Sequence, residues 1–366
     1  MANLFTPMKV GKLELPNRIL MAPMTRSRAS DDGVVGPMTA TYYAQRATAG
    51  LIVSEGIFPD AMGKGYVATP GLTDARQVAA WQAVTAAVHR AGGRIFAQLM
   101  HAGRISDPSL LPGGATPVAP SAVRPAGATY TDAGLKPHVT PRALTAREIA
   151  ATIDSFAAAA RRAIDAGFDG VELHAGAGYL PMQFLSTGSN RRIDAYGGSA
   201  LNRARFAVEL LEAIASAAGA ERTGLKLTPG MSFNDIVDDD AMNGYSAVLR
   251  AVKPLGLAFV EMAPGADASA WHAQLRPLFD GAWFAGVGFD QAMGNEWVED
   301  GLADAILYGG AFIANPDLPQ RFAAGAVLAT PDHDTYYAGG ARGYIDYPSM
   351  FAGTAAPDGL TQALAV

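Results

Sequence analysis

The chain has 366 residues, 49% of them hydrophobic and 17% charged, with a formal net charge of −6. This composition predicts a well-buried globular protein, and no basic run exceeds Arg191-Arg192, which argues against a nucleic-acid or membrane-surface partner. Because cysteine is absent, disulfides, thiolate nucleophiles and zinc–sulfur sites are excluded. The first residues lack the apolar core of a signal peptide and no apolar stretch approaches a membrane span, so we expect a cytoplasmic enzyme.

Eight short apolar segments recur along the chain, and most are followed by an amphipathic or alanine-rich stretch. The predicted strands are Ile19–Ala22, Leu51–Ser54, Ile95–Gln98, Val171–His174, Gly224–Leu227, Ala258–Glu261, Trp283–Gly286 and Ala305–Tyr308. The predicted helices are Met38–Thr48, Asp74–Ala91, Ala146–Ala166, Leu201–Ala217, Tyr245–Leu255, Asp267–Leu278, Gln291–Asp300 and Leu318–Ala324. Such α/β alternation requires a parallel sheet, and eight units can close into a (β/α)8 TIM barrel. An open doubly wound sheet is the alternative, but no GxGxxG motif follows the first strand.

Two segments depart from the regular alternation. Residues Lys9–Leu15 are typical of a tight hairpin around Gly11, which we expect to form a lid over the N-terminal end of the barrel. Residues 102–144, after the third strand, are rich in Pro, Gly, Ser and Thr and are too long for a simple connection. Long insertions of this kind usually cover a functional site, so we predict a cap. No domain boundary is visible, and residues 1–366 are predicted to form a single domain.

Polar side chains and glycines stand where the predicted strands end. They are Thr25, Arg26, Glu55, Gly56, Gln98, His174, Lys226, Glu261, Gly286, Gly288, Gly309 and Gly310. The C-terminal ends of barrel strands meet at one rim, where barrel enzymes carry their active sites. Exposed backbone amides after the last two strands also match the usual phosphate site of this fold. Each residue alone has a structural explanation as a cap, loop anchor or turn, but together they predict a site.

The residues most indicative of chemistry are His174 and, five positions later, Tyr179. A histidine at the rim can donate a hydrogen bond to a substrate oxygen, and a nearby phenol can deliver a proton. A buried core histidine beside a packing tyrosine explains the same pattern, and this pattern alone does not separate the two.

Further motifs, in order over nearly the whole chain, resemble those of the old yellow enzyme family. They are Leu15–Arg26, Gln98–Arg104, His174–Leu185, Asn190–Ser199, Asn202–Phe206, Asn315–Leu318 and Tyr337–Pro348. The resemblance implies an FMN-binding TIM barrel that reduces the C=C bond of small unsaturated carbonyl-type substrates with NAD(P)H. It also implies ping-pong hydride transfer through the flavin.

The resemblance implies specific roles for residues of this chain. His174 polarises the substrate oxygen and Tyr179 donates the proton. The implied FMN-binding residues are Pro23, Met24, Thr25, Gly56, Gln98, Lys226, Gly286, Gly288, Gly309 and Gly310. The implied substrate-binding positions are Tyr66, Met100, Ala177 and Tyr337, and no metal is implied.

Three positions depart from the family pattern. Ala177 stands where the family has Asn or His, Lys226 replaces an arginine beside the flavin ring, and Gly310 replaces the arginine that grips the FMN phosphate. One interpretation is an alkene reductase with weaker FMN binding. Another is a barrel with weakened or lost flavin use that acts as a non-redox isomerase or cyclase on an enone-like metabolite. A non-catalytic binding barrel is a third, but it gives His174 and Tyr179 no reason to occur together.

Overall fold

Eight parallel strands close into a barrel, as predicted from the strand–helix alternation. The computed structural model describes residues 2–265 and 267–350. The barrel strands are β1 (Ile19–Met21), β2 (Ile52–Ile57), β3 (Ile95–Leu99), β4 (Gly170–Ala175), β5 (Thr223–Leu227), β6 (Phe259–Met262), β7 (Ala282–Gly286) and β8 (Ala305–Tyr308). Each strand pairs with its neighbours in the chain, and β8 pairs with β1 to close the sheet.

Helices surround the barrel at the predicted places. They are α1 (Pro37–Ala44), α2 (Ala75–Arg90), α3 (Ala146–Asp165), α4 (Leu180–Leu185), α5 (Ala200–Ala218), α6 (Ala241–Val252), α7 (Ala268–Leu275), α8 (Gln291–Glu299), α9 (Gly310–Ala314) and α10 (Leu318–Ala323). Capping boxes start two of them, Asp74 with Gln77 at α2 and Thr145 with Glu148 at α3. The sequence analysis did not predict the short helices α4 and α9.

Helices α6 and α7 end earlier than the sequence analysis predicted. Helix α6 stops at Val252 and α7 at Leu275, and each continues as a single 3₁₀ turn. Pro254 and Pro277 lie in these turns. Since proline has no N–H to donate and clashes with the preceding turn, neither α-helix continues through it.

The barrel interior has an apolar lower layer and a polar upper layer. Phe96, Phe259 and Phe284 fill the lower layer, and the ring centroids of the last two are 4.6 Å apart. The N-terminal hairpin, Met8–Val10 paired with Leu13–Leu15, packs Val10 and Leu15 onto this layer. It therefore covers the N-terminal end of the barrel, as predicted. The polar residues of the upper layer are Gln98, Glu172, Lys226 and Glu261, and they lie beneath the C-terminal rim.

The insertion after β3 is more regular than its composition indicated. It contains an antiparallel hairpin, Ala128–Thr131 with Gly134–Pro137, and a short parallel pair, Val118–Ala119 with Arg142–Ala143. Its first residues pack toward the rim, where Ala102 and Ile105 share an apolar cluster with Tyr179. The insertion thus forms one wall of the candidate site.

None of the helices within residues 2–265 and 267–350 combines the length and apolar character that a membrane span requires.

Candidate active site

His174 lies in β4 with its side chain buried, and its hydrogen bond defines which ring nitrogen carries the proton. The backbone N–H of Gly176 donates to His174 Nδ1 at 3.3 Å, so Nδ1 is an acceptor and the proton of the neutral ring is on Nε2. Burial, reinforced by the positive charge of Lys226, holds the pKa of His174 well below its usual range. His174 is therefore a neutral donor whose Nε2–H is available to a ligand.

Tyr179 stands next to this imidazole. The two ring centroids are 5.0 Å apart and the planes cross at 80°. The Tyr179 hydroxyl lies 3.0 Å from the hydroxyl of Tyr66, which reaches in from the loop after β2. Burial, with a further contribution from Tyr66, raises the pKa of Tyr179 well above its usual value. The phenol is therefore protonated at neutral pH and can act only as a proton donor.

The turn between His174 and Tyr179 carries a backbone conformation that is unusual for alanine. Ala177 has φ of 50°, in the left-handed region that costs a non-glycine residue about 1–2 kcal/mol. Its N–H donates to Thr228 Oγ1 at 2.7 Å, and its carbonyl accepts from Asn234 Nδ2 at 2.8 Å. These two bonds hold the turn from the loop after β5.

Asn234 is a site residue that the sequence analysis missed. Besides holding Ala177, its side chain interacts with Tyr66 and Tyr179 and lowers the pKa of both hydroxyls. Arg104 fixes the Asn234 loop by donating to the carbonyls of Asn234 and Asp235 at 3.2 and 2.7 Å. No sequence pattern marks Asn234, because its role depends on a contact between segments 57 residues apart.

The predicted substrate positions Tyr66, Met100 and Ala177 come together with Tyr179 in one apolar cluster. Gly56 pairs with Gln98 across β2 and β3, and a Cβ at Gly56 would lie only 2.7 Å from the Met100 sulfur. Glycine at this position thus lets the strand approach the Met100 wall closely. Tyr337, from the C-terminal segment, is 64% exposed, and it adds to the raised pKa values of Tyr66 and Tyr179.

Thr25 lies on the loop after β1, beside Arg26 and Arg28, which both donate hydrogen bonds to the C-terminal segment. Arg26 donates to the carbonyls of Tyr336 and Gly343 at 3.1 and 2.8 Å, and its own N–H donates to Glu55 Oε2 at 3.3 Å. Glu55 is buried, and this burial raises its pKa to about 7. The backbone around Thr25 is therefore tied both to β2 and to the segment that carries Tyr337.

Lys226 is the cation at the inner end of a neighbouring cavity. It occupies the same register position as His174 on the adjacent strand, and its Nζ lies 2.5 Å from Glu261 Oε1. The cavity has a volume of about 350 Å³ and is lined, among others, by Pro23, Met24, Lys226, Glu261, Gly286, Gly288, Gly309 and Gly310. Lys226 is the one cationic side chain among its lining residues in the described part of the chain, and Glu261 neutralises it.

The residues of this cavity fit the ribityl phosphate end of a flavin. The amides of Gly288 and Gly309 donate no hydrogen bond within residues 2–265 and 267–350, so they are free to bind phosphate oxygens. A Cβ at Gly310 would meet only the Tyr336 hydroxyl, at 3.7 Å. The place where the family has an arginine is therefore open space in the described part of this chain.

The structure thus brings most of the predicted residues together in or between two adjoining regions, whereas Thr25 is among the lining residues of neither. His174, Tyr179, Tyr66, Met100, Ala177 and Tyr337 surround the mouth, and Pro23, Met24, Lys226 and the four late glycines surround the cavity. Gln98 and Gly56 lie between the regions on β2 and β3. Besides Asn234, the sequence analysis missed Glu172, which points into the barrel beside Gln98.

Comparison with known proteins identifies close relatives. A sequence profile of the NADH:flavin oxidoreductase / NADH oxidase family matches residues 3–328. The 12-oxophytodienoate reductase 1 of Oryza sativa subsp. japonica is 41% identical, over 95% of this chain and 93% of that protein. A probable flavin mononucleotide-dependent alkene reductase of Leishmania infantum is also 41% identical, over 94% of this chain and 96% of that protein.

Solved structures give the same result. Morphinone reductase in complex with tetrahydroNAD superposes with a TM-score of 0.92 and 42% identity, covering 96% of this chain and 98% of that one. The old yellow enzyme homologue from Zymomonas mobilis superposes with a TM-score of 0.91 and 38% identity, covering 94% and 99% of the two chains.

Proposed function

The chain belongs to the NADH:flavin oxidoreductase / NADH oxidase family, that of the old yellow enzymes, and from this membership we propose that it reduces the activated C=C bond of small unsaturated carbonyl-type compounds. It is an enzyme, with FMN as its cofactor and NAD(P)H as its reductant. The family resemblance noted in the sequence is therefore confirmed. The substrate class and the order of hydride transfer are our proposals.

Hydride chemistry, which amino-acid side chains lack, would be supplied by the FMN when it is bound, linking oxidation of the nicotinamide to reduction of the alkene. Pro23, Met24, Thr25, Gly56, Gln98 and Lys226 would hold the ring, and Gly286, Gly288, Gly309 and Gly310 the phosphate. Lys226 places a positive charge at the ring end of the cavity, although Glu261 partly neutralises it. The protein's own contribution to the reaction comes from the mouth of the site.

The proposal rests on two neutral donors that lie side by side, His174 for the substrate oxygen and Tyr179 for the α-carbon. His174 presents Nε2–H, which binds the carbonyl oxygen and stabilises the negative charge that develops there as the β-carbon is reduced. Tyr179, whose ring centroid is 5.0 Å from that of His174, presents an O–H that protonates the α-carbon. A donor for the oxygen and an acid for the carbon together complete the reduction of an enone.

Tyr66 and Asn234 support Tyr179 in this role. The Tyr66 hydroxyl is 3.0 Å from that of Tyr179, and Tyr66 is half-buried where Tyr179 is buried, so it can return a proton to Tyr179 after each turnover. Asn234 also interacts with both tyrosines and lowers the pKa of each hydroxyl. The apolar wall of Met100, Ile105 and Ala177 suits the hydrocarbon part of an enone.

The non-redox alternative, an isomerase or cyclase, would use the same His174 and Tyr179. Among the described residues of the site, none has a role that an isomerase or cyclase would need and a reductase would not. The reductase is therefore the proposed function. The visible spectrum of the purified protein is the first test, because bound flavin makes it yellow.

The proposal itself is tested by anaerobic titration with NADPH or NADH, followed by addition of cyclohexenone. We expect the flavin to bleach with the nicotinamide and to recover with the enone, with cyclohexanone as product and ping-pong initial-rate kinetics. Recovery of flavin colour without consumption of the enone, or protein that stays colourless with excess FMN, would refute it.

A further inference from the structure

Two buried carboxyl groups under the site have no function in the reaction proposed above. Glu172 on β4 and Glu261 on β6 are 0% and 1% exposed, and both point into the upper layer of the barrel. One oxygen of each is engaged: Gln98 Nε2 donates to Glu172 Oε1 at 2.8 Å, and Lys226 Nζ lies 2.5 Å from Glu261 Oε1. The second oxygens, Glu172 Oε2 and Glu261 Oε2, are buried and have no donor among the residues that the structure describes.

The two unpaired oxygens can be hydrogen-bond partners of each other. Glu172 and Glu261 interact with each other inside the barrel, and this interaction adds to burial in raising the pKa of Glu172. Two carboxylates facing each other in a buried place repel, and each leaves an acceptor unsatisfied, which costs about 1–3 kcal/mol. A single proton between them removes both penalties, since one group then donates and the other accepts.

The neighbours decide which carboxyl keeps the proton. Lys226 stabilises the ionised form of Glu261, which is its direct partner. Glu172 has only the neutral amide of Gln98, and the charged or titratable groups around it are Glu261 and Lys226, with His174 two residues along β4. Burial and the negative charge of Glu261 both disfavour an ionised Glu172.

We propose that Glu172 is a neutral carboxylic acid that donates its proton to Glu261 and acts as a positioning residue for Gln98. The resulting chain runs from the Gln98 N–H to the Glu172 carbonyl, and from the Glu172 O–H to the Glu261 carboxylate, which also accepts from Lys226. Every polar atom of the four side chains in this layer then has a partner except the Gln98 amide oxygen.

The unpaired Gln98 amide oxygen gives the proposed arrangement a function. Because Gln98 donates downward to Glu172, its amide group is held with the oxygen facing the site. The floor of the site therefore presents an acceptor, which suits a planar heterocycle with an N–H at that edge. An ionised Glu172 would instead bring a second negative charge beside Glu261, which Lys226 alone cannot balance.

The direct test is infrared spectroscopy of the flavin-free protein at about pH 9, where Glu55, with a pKa of about 7, has lost its proton. We expect a carbonyl band of a protonated carboxylic acid in the wild type, and we expect Glu172→Gln to remove it while Glu55→Gln leaves it. No band in the wild type, or a band that survives Glu172→Gln, overturns the proposal. This measurement does not depend on catalysis, so it can fail while the proposed function stands.

Stability and flavin binding give a second readout. Glutamine imitates the neutral acid, so Glu172→Gln should shift the melting temperature at pH 7 by less than about 2 °C, whereas Glu261→Gln, which strands Lys226, should lower it by about 5 °C or more. Fluorescence titration should give an FMN affinity within about threefold of wild type for Glu172→Gln and about tenfold weaker for Glu172→Ala. Equal damage from Glu172→Gln and Glu261→Gln would overturn the assignment of the proton.

Discussion

The hydroxyl oxygens of Tyr66 and Tyr179 lie 3.0 Å apart, so one phenol donates to the other directly at the mouth of the site. Only Tyr179 stands against the His174 ring, at 5.0 Å between centroids. The two tyrosines are therefore not equivalent: Tyr179 faces the position of the substrate, and Tyr66 connects it to the exterior.

Tyr179→Phe should slow alkene reduction by about 10²–10⁴-fold, because it removes the general acid. Reduction of the flavin by NAD(P)H, which needs no such proton, should change by less than about threefold. Stopped-flow measurement of the two half-reactions separates these effects. Tyr66→Phe should slow the alkene half-reaction less than Tyr179→Phe, and Tyr130→Phe, on the exposed hairpin of the insertion, is the control. An unchanged alkene half-reaction in Tyr179→Phe would remove Tyr179 from the mechanism.

The pKa of His174 is depressed by burial and by Lys226, so this ring should not titrate near its usual pKa of about 6.5. Removing the neighbouring charge with Lys226→Gln should move the His174 titration upward. Histidine NMR signals recorded against pH give the measurement, and Lys136→Gln, on the insertion hairpin, is the matched deletion of a charge that does not contribute to the His174 pKa. A normal titration of His174 in the wild type would contradict the neutral-donor role.

Glu55 should make the fold less stable as the pH rises. Its folded pKa of about 7 lies above the ordinary value of 4.5, so the folded state holds the proton more tightly than the unfolded state. The stabilisation is complete below about pH 4.5 and is lost as the pH rises through about 7, a change on the order of 3 kcal/mol. Denaturant unfolding at several pH values measures it, and Glu55→Gln, which stays neutral, should flatten that part of the profile. A wild-type profile that rises over the same interval would show that Glu55 is ionised in the fold.

The barrel, its hairpin lid and the positions of eight strand ends were predictable, because alternating strands and helices allow few topologies and the strand ends share one rim. The pairing of His174 with Tyr179 followed from spacing within one loop. Glu172 was not predictable, since strand tilt decides which residues of β3, β4 and β6 meet inside the barrel. Asn234 was missed for a similar reason: its contact with Ala177 comes from how two loops pack, which no local pattern encodes.

Gly310→Arg should strengthen FMN binding and leave riboflavin binding unchanged. Among the described residues, the cavity around Gly309 and Gly310 is lined by backbone amides but by no free cation, because Lys226 is paired with Glu261. A charge-assisted bond to phosphate is worth about 1.5–3 kcal/mol, or about 10–100-fold in affinity. Fluorescence titration of the flavin-free protein with each flavin provides the comparison. Gly310→Ala adds only a Cβ, which the structure accommodates, and no charge, so it should bind FMN as the wild type does. Equal gains for riboflavin and FMN would show that the phosphate is not involved.

At Ala177, two substitutions can separate the effect of backbone conformation from the effect of a hydrogen-bond donor. Its φ of 50° is unfavourable for alanine but acceptable for asparagine and glycine. Ala177→Gly and Ala177→Asn should therefore both relieve the backbone strain. Glycine should increase the free energy of unfolding less, because it also increases the entropy of the unfolded chain. Only asparagine adds an N–H donor beside His174, and we expect it alone to speed cyclohexenone reduction, by about tenfold or more. Melting temperatures and the rate of flavin reoxidation by the enone measure the two effects independently.

If both variants gain activity equally, the benefit comes from the relaxed turn and not from the donor. If Ala177→Asn gains stability but no activity, the substrate oxygen lies out of reach of position 177, and His174 alone polarises it.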